Sequence, residues 1–153
     1  MTPQDRQDAA ALFVLRLGLI WFIFLWAAHK IILPNQYRSL ARNFDGVDPS
    51  VFQVYGLAVA QIVLCVLALV GIARLYSYGA LLMMHAFTVS RRWEGFLDPF
   101  ALNERGTFPI HRNQVIDLAV LAAFIALVLL RHRDHFSLGA WLERHGGGPR
   151  WWT

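Results

Sequence analysis

The chain has 153 residues, of which 57% are apolar types and 16% are charged, and its formal net charge is +4. A soluble domain is nearer half apolar and a quarter charged, so this composition excludes a disordered chain, a collagen-like chain and a disulfide scaffold. The excess of apolar residues favours an integral membrane protein of one domain, residues 1–153.

Four apolar segments predict an all-α membrane protein, a four-helix bundle. The first segment covers residues 9–33 and ends before Pro34, which stops a helix. It is long enough to cross the ~30 Å hydrocarbon layer, and no small-x-small motif follows it, which argues against a cleaved signal peptide. The second segment covers residues 51–73 and follows the helix-start signal Asp48-Pro49-Ser50.

The third and fourth segments make the number of crossings even. Residues 75–92 predict a short third span, and residues 110–130 predict the fourth. With four spans, the long connections 34–50 and 91–112 lie on one side of the membrane and the two termini on the other. The polar tail, residues 131–153, contains an amphipathic stretch at 137–145 that predicts a short helix.

The basic residues lie mostly in the flanks and loops between the apolar runs, where anionic lipid headgroups attract them. Six lie on the predicted terminal side and seven on the long-loop side, so the positive-inside rule does not orient the chain. The chain lacks RNP, zinc-finger and helix-turn-helix patterns, so we predict no nucleic-acid partner.

The only cysteine, Cys65, restricts redox and metal chemistry. One thiol cannot form an intrachain disulfide or a cysteine-rich zinc or iron–sulfur site. Because Cys65 lies in an apolar run, we expect it to behave as a small hydrophobic side chain.

Ionisable residues inside the predicted spans are costly, at about 2.5–3.5 kcal/mol on insertion scales. Arg16 lies about one turn inside the first span, and we expect its long side chain to extend to the headgroups. His29, Lys30, His85 and Asp117 all lie in the half of the membrane that faces the long loops.

These residues suggest a polar site near that membrane face. Tyr78, His85 and Arg92 recur every seven residues and share one helical stripe, and Asn113 lies one turn before Asp117. Imidazole, carboxylate and cationic groups suit proton transfer or the binding of a quinone oxygen. The candidate polar site is His29, Lys30, Tyr78, His85, Arg92, Asn113 and Asp117. The alternative is that these groups satisfy one another and fix the helix register.

Other chemistries have less support in the residues. His29 and His85 form the only pair that suits b-type haem, and no characteristic spacing accompanies them. His85 and Asp117 have no nearby third metal ligand, so we predict no metal site. Because hydrolase and nucleotide-binding motifs are missing, a self-contained enzyme is not predicted. A transporter or channel would have to be an oligomer.

The connection 91–112 also has the composition of a docking surface. Aromatic residues alternate there with charged ones, and aromatic residues with arginine are enriched in interface hot spots. The candidate docking residues are Trp93, Phe96, Phe100, Arg105 and Phe108. The alternative is an aromatic belt at the rim of the bundle.

The first span resembles the opening helix of the DoxX-like superfamily. The resemblance rests on Arg16-Leu17-Gly18-Leu19 and on the run from Phe24 to Pro34, which reads Phe-Leu-Trp-Ala-Ala-His-Lys-Ile-Ile-Leu-Pro. The tight second connection and Arg112-Asn113 at the start of the fourth span are similar to DoxX and to its relatives among methylamine-utilisation accessory proteins. The resemblance covers residues 12–130.

That resemblance implies a four-helix protein of the bacterial inner membrane, with cytoplasmic termini and periplasmic long loops. Superfamily members include a small subunit of thiosulfate:quinone oxidoreductase, partners of redox enzymes and maturation factors for periplasmic dehydrogenases. The methylamine-utilisation relatives carry Cys-x-Cys-Phe-Gly in the third loop, whereas residues 96–103 here lack cysteine, so thiol chemistry is not expected.

Two functions follow as hypotheses. The first is an accessory membrane subunit of a quinone-linked redox system, in which the candidate polar site contributes a quinone or proton site near the periplasmic face. The second is a non-catalytic assembly or docking protein that binds a partner enzyme through residues 91–112. Both predict a lipid bilayer environment and either a protein partner or a homo-oligomer.

Overall fold

The computed structural model describes residues 2–91, 93–102 and 112–146 of the chain. This part of the chain is helical and contains no strand, which confirms the all-α prediction. The α-helices are α1 (Pro3–Ile32), α2 (Pro34–Asp45), α3 (Val51–Val70), α4 (Arg74–Ser90), α5 (Glu94–Leu97), α6 (Arg112–Leu129) and α7 (Leu138–His145), and a 3-10 helix covers Arg131–Arg133.

Local sequence explains where the long helices begin and end. Thr2 caps α1, and Ser50 caps α3 with Gln53 in a reciprocal capping box, so orphan backbone N–H groups at both starts are satisfied. Gly46 ends α2 and Gly71 ends α3, each in the left-handed conformation that glycine adopts without steric cost.

Helices α1, α3, α4 and α6 pack together as a bundle. Helix α1 lies mainly against α3, α4 lies mainly against α6, and α3 contacts α4 across the tight turn at Gly71. The core of the bundle is apolar and consists of Leu12, Leu19, Ile20, Ile23, Cys65, Ala68, Tyr78, Leu81, Phe124 and Leu127. Cys65 is buried in this core, as the sequence predicts.

The outside of the bundle is also apolar. Large hydrophobic side chains are exposed on all four helices, among them Trp21, Leu25, Val59, Val63, Val66, Met83, Phe87, Ile116, Leu118 and Ile125. Within the described residues, α1 and α3 are both long enough and apolar enough to cross a membrane. Most of the residues in those two helices are not buried, unlike those in the core helix of a soluble protein.

The predicted segments overlap the bundle helices, although α1 begins six residues earlier than predicted, at Pro3, and α3 ends three residues earlier, at Val70. Both predicted connections contain additional helix. Residues 34–50 contain α2, and residues 91–112 contain α5. The amphipathic stretch at 137–145 is helical, as predicted, and forms α7. The rest of the predicted tail, residues 147–153, lies outside the described part of the chain.

The two ends of the bundle differ. We call residues 131–145 the cap segment, and the end of the bundle on which they pack the cap end. The opposite end, the loop end, carries α2, Arg91 and residues 93–102. At the cap end, Asp8 of α1 accepts a hydrogen bond from Arg133 at 3.1 Å.

Candidate functional site

The most buried ionic group of the described chain joins the first bundle helix to the cap segment. Arg16 of α1 is 1% exposed and Asp134 is 0% exposed. The Arg16 Nη1 lies 2.5 Å from Asp134 Oδ2, and Arg16 Nη2 donates to the carbonyl oxygen of Phe136 at 2.7 Å. The expected extension of Arg16 to the headgroups is therefore wrong, because a carboxylate from the cap segment satisfies the guanidinium inside the protein.

Tyr78 completes this buried cluster from α4. Its hydroxyl donates to Asp134 Oδ2 at 2.7 Å and accepts from Arg16 Nη1 at 3.2 Å. Two polar atoms of the ion pair, Arg16 Nε and Asp134 Oδ1, are buried without a hydrogen-bond partner. The ion pair therefore depends on each of its members, because removal of one leaves a buried charge without compensation.

A second arginine fastens the cap segment to the start of α4. Arg74 Nη1 donates to the carbonyl oxygens of Arg131 at 3.1 Å and of Asp134 at 3.2 Å, and its Nη2 forms an ion pair with Glu143 of α7. Ser137 donates to the carbonyl oxygen of Asp134 at 2.9 Å and caps α7. These bonds satisfy polar backbone groups that would otherwise lack partners in an irregular segment.

Glycine allows the cap segment to approach the bundle this closely. Gly71 has a φ of +69°, and a Cβ atom there would overlap the side chain of Ser137 and lie 2.9 Å from Arg16 Nη1. A Cβ atom on Gly139 of α7 would overlap the carbonyl oxygen of Gly71. The backbones of α7 and of the turn between α3 and α4 are therefore in direct contact.

His85, the central residue of the predicted polar site, lies inside the bundle. Its Nε2 is 2.9 Å from the carbonyl oxygen of Asp117, so α4 and α6 are joined through a backbone group. The imidazole also contacts the rings of Phe22 and Phe124, each with a centroid separation of 6.0 Å. The contact of His85 with Asp117 is made to the backbone carbonyl group of Asp117.

Lys30 and His29 have other partners. The buried Lys30 ammonium donates to Gln61 Oε1 at 2.8 Å, donates to the Trp26 carbonyl oxygen at 3.3 Å and lies 4.9 Å from the ring centroid of Tyr37. His29 Nε2 lies 3.1 Å from Gln36 Oε1 at the start of α2. Both residues therefore join α1 to its neighbours at the loop end.

The described residues of the predicted site thus lie at different levels along the bundle and do not form one cluster. Tyr78 binds Arg16 at the cap end, and Lys30 lies fourteen residues, or about 21 Å, further along α1 than Arg16. His85 lies between these levels, seven residues along α4 from Tyr78. Arg92 and the side chain of Asn113 lie outside the described residues.

A cavity of about 170 Å³ lies at the loop end between α2 and α3. Tyr37, whose ring lies beneath the Lys30 ammonium, is part of its wall, together with Gln53, Leu57 and Arg91. The cavity is open to one side and is smaller than the roughly 300–1,000 Å³ of typical ligand sites, but a space of about 150 Å³ can hold one benzene ring. Its wall combines apolar side chains with hydrogen-bond donors and the Asp45 carboxylate. In the described residues, no group of three histidine, cysteine or acidic side chains is placed to hold a metal ion.

The predicted docking residues are divided between exposed, half-buried and undescribed positions. Trp93 is 56% exposed and Phe100 is 83% exposed at the loop end, with Leu97 of α5 exposed between them. Phe96 is half-buried. Arg105 and Phe108 lie outside the described residues.

Comparisons with protein-family models, curated proteins and solved structures found no match for this chain. The resemblance to the DoxX-like superfamily therefore stays a prediction from the sequence.

Asp134 was not predicted as the partner of Arg16, although the sequence contains a signal for it. An arginine inside an apolar run needs a counter-charge. In the predicted topology Arg16 and the segment after the fourth span lie on the same side of the membrane, and Asp134 is the first acidic residue of that segment.

Proposed function

We propose that this protein is a multi-pass membrane protein that serves as an accessory subunit of a quinone-linked redox system. The membrane part of the proposal is supported by one observation above all: exposed apolar side chains surround a bundle whose described ion pairs lie at its two ends. Water would leave these apolar surfaces unfavourably hydrated, whereas lipid tails would cover them.

Helix lengths support the same environment. The part of α1 from Arg16 to Ile32 has 17 residues, α4 has 17 and α3 has 20, which corresponds to about 26–30 Å of helix. This is close to the ~30 Å thickness of the hydrocarbon layer. In the proposed topology α1, α3, α4 and α6 cross the bacterial inner membrane, with the termini in the cytoplasm.

A topology experiment tests the membrane part. Reporter tags at residue 1 and after residue 153 should both be cytoplasmic, and a reporter in residues 46–50 should be periplasmic. The protein should pellet with membranes and require detergent for release. Recovery in the supernatant without detergent, or termini on opposite faces, would contradict the proposal.

The redox part of the proposal is supported by the DoxX-like resemblance and by proton-carrying side chains in the half of the bundle nearer the loop end. Lys30 and His85 are both buried there, and the cavity beside Tyr37 has room for one ring. We propose that a quinone ring binds in this cavity with the Gln53 amide as a donor to one of its oxygens, while Arg91 on the same wall is paired with Asp45 at 3.4 Å.

Titration of the detergent-solubilised protein with a ubiquinone analogue tests this placement. Leu57→Trp should fill the cavity and weaken binding at least tenfold, whereas Leu69→Trp, on the same helix and similarly exposed, should not. Loss of binding in His85→Ala with normal binding in Leu57→Trp would move the site to the bundle interior. No binding to the unmodified protein would refute the redox part.

A docking or assembly function is the second candidate, and the exposure of Trp93, Leu97 and Phe100 favours it. Aromatic side chains with adjacent charges form the centres of many protein interfaces. Replacement of residues 96–108 by a Gly/Ser linker should abolish copurification of a partner enzyme and leave the bundle folded. Unchanged copurification would exclude this surface.

A further inference from the structure

Helix α2 at the loop end and the cap segment at the other end expose different kinds of side chain. Helix α2 exposes polar residues, among them Asn35, Gln36, Ser39, Arg42 and Asn43. The cap segment exposes Phe136, Leu138 and Trp141, each by between 44% and 48% of its surface. Among the described side chains of these two elements, the large exposed apolar ones therefore lie on the cap segment, whereas the exposed apolar residues of the loop end, such as Leu97 and Phe100, lie outside α2.

The helical geometry of α7 separates an inner face from an outer one. Gly139 and Ala140 are buried, and Glu143 on the same side forms an ion pair with Arg74. Leu138, Trp141 and His145 recur at intervals of three and four residues on the other side, and the rings of Trp141 and His145 stack at 4.6 Å. The apolar face is thus turned away from the bundle by contacts that fix α7 in place.

This outer face is continuous with the surface that the proposed function assigns to lipid. The backbone of Phe136 binds Arg16 of α1, and on α1 the neighbouring Phe13, Val14 and Leu17 are exposed. At the end of α6, Leu129 and Leu130 are exposed immediately before the cap segment. A soluble protein partner would have to cover part of a surface that otherwise belongs to the bilayer.

The charges beside this face are mainly positive. Arg144 and His132 are exposed and Arg131 is half-exposed. The described acidic groups of this end have partners: Asp134 pairs with Arg16, Glu143 with Arg74 and Asp8 with Arg133, and Asp5 accepts from the backbone N–H of Thr2. Cations next to an apolar helix face are complementary to anionic lipid headgroups above acyl chains.

From these observations we propose that the cap segment is an interfacial membrane anchor, with Phe136, Leu138 and Trp141 at the level of the acyl-chain boundary and Arg131 and Arg144 on anionic phospholipid headgroups. The inference rests on the membrane location proposed above. Its partner is the lipid surface at the end of the bundle that carries the termini.

Spin labels on single cysteines test the depth of this face in the full-length protein. Cys65→Ala provides a background without cysteine. In lipid nanodiscs of phosphatidylcholine with phosphatidylglycerol, labels on Leu138→Cys, Val63→Cys and Ser39→Cys should report the interface, the acyl core and water respectively. Accessibility to oxygen and to a nickel chelate gives the depth.

The three positions separate the two proposals. Water-like accessibility at position 138 with acyl-core accessibility at position 63 would overturn the anchor and leave the membrane location intact, and the face would then belong to a protein partner. Water-like accessibility at position 63 would overturn the membrane location itself.

Lipid selectivity tests the headgroup contacts. The preference of the protein for phosphatidylglycerol over phosphatidylcholine should fall about fivefold for each of Arg131→Gln and Arg144→Gln, because a cation near an anionic surface contributes about 1 kcal/mol. Arg42→Gln, an exposed arginine at the loop end, is the matched control and should have less effect. An equal preference in all variants would overturn the assignment of these arginines.

Discussion

Arginine–carboxylate ion pairs occur at both ends of the bundle, but they differ in their exposure to solvent. At the cap end, Arg16 and Asp134 are almost completely removed from solvent, and Tyr78 shares their hydrogen bonds. At the loop end, Arg38 and Arg42 both lie near Asp48, whose side chain is 49% exposed. Burial makes the members of the first group depend on one another, whereas water and salt screen the second.

The same contrast holds for the backbone. Gly46 at the loop end and Gly71 at the cap end have nearly equal positive φ angles of +65° and +69°. The space around Gly46 is open, whereas Ser137 and Arg16 occupy the space beside Gly71. A similar local conformation therefore has a structural role in tertiary packing at only one of these two sites.

The largest effect is expected from Arg16→Met. It leaves the Asp134 carboxylate buried without its counter-ion, which should lower the free energy of unfolding by about 3–5 kcal/mol. Denaturation in detergent measures the change, with Arg42→Met at the loop end as the control, expected to cost less than about 1 kcal/mol. The double variant Arg16→Met/Asp134→Leu should recover most of the lost free energy of unfolding. Equal losses in Arg16→Met and Arg42→Met would contradict the proposed difference between the two ends.

The next largest effect is expected from Gly71→Ala. The added Cβ atom has to displace the cap segment, so overpacking of about 1–3 kcal/mol is added to the strain of the left-handed backbone. Gly46→Ala has the same backbone strain without the overlap. The difference between the unfolding temperatures of the two variants gives the packing cost. A difference near zero would mean that the cap segment moves away from the added Cβ atom without loss of stability.

Tyr78→Phe should have a smaller effect. It removes one donor to Asp134 and one acceptor for Arg16 while keeping the ring, so we expect a loss of about 1–3 kcal/mol in the free energy of unfolding. Tyr76→Phe, two residues away on the exposed side of α4, is the control. If both variants unfold alike, the hydroxyl is not part of a stabilising cluster.

The smallest effect is expected from Asp48→Asn. The exposed pairs with Arg38 and Arg42 should contribute less than about 1 kcal/mol, and the difference from the unmodified protein should disappear near 1 M salt. Asp134→Asn should remain destabilising at the same salt concentration, because its partner is buried. Denaturation at low and high salt compares the two.

Much of the secondary structure is predictable from local patterns. Pro34 marks the end of α1, and the Ser50–Gln53 capping box marks the beginning of α3. The amphipathic stretch after residue 136 identifies α7. These features depend on neighbours within one or two turns, which the sequence contains directly.

The sequence predicts which residue types form the candidate site and which helix face carries them, but not which groups they contact. The seven-residue spacing of Tyr78 and His85 correctly places both on the buried stripe of α4. It does not reveal that their partners lie at different levels, Asp134 for Tyr78 and the Asp117 carbonyl for His85. Because both residues face the interior, the surrounding helices decide which group each one meets.

The sequence by itself determined that this protein is helical and strongly apolar, since composition and local periodicity are properties of the chain alone. The tertiary structure decided that Arg16 lies inside the protein, because its carboxylate is 118 residues away and meets it only when the cap segment packs across the bundle. An isolated arginine in an apolar run has two ways to satisfy its charge, solvent or a distant acid. Only folding chooses between them.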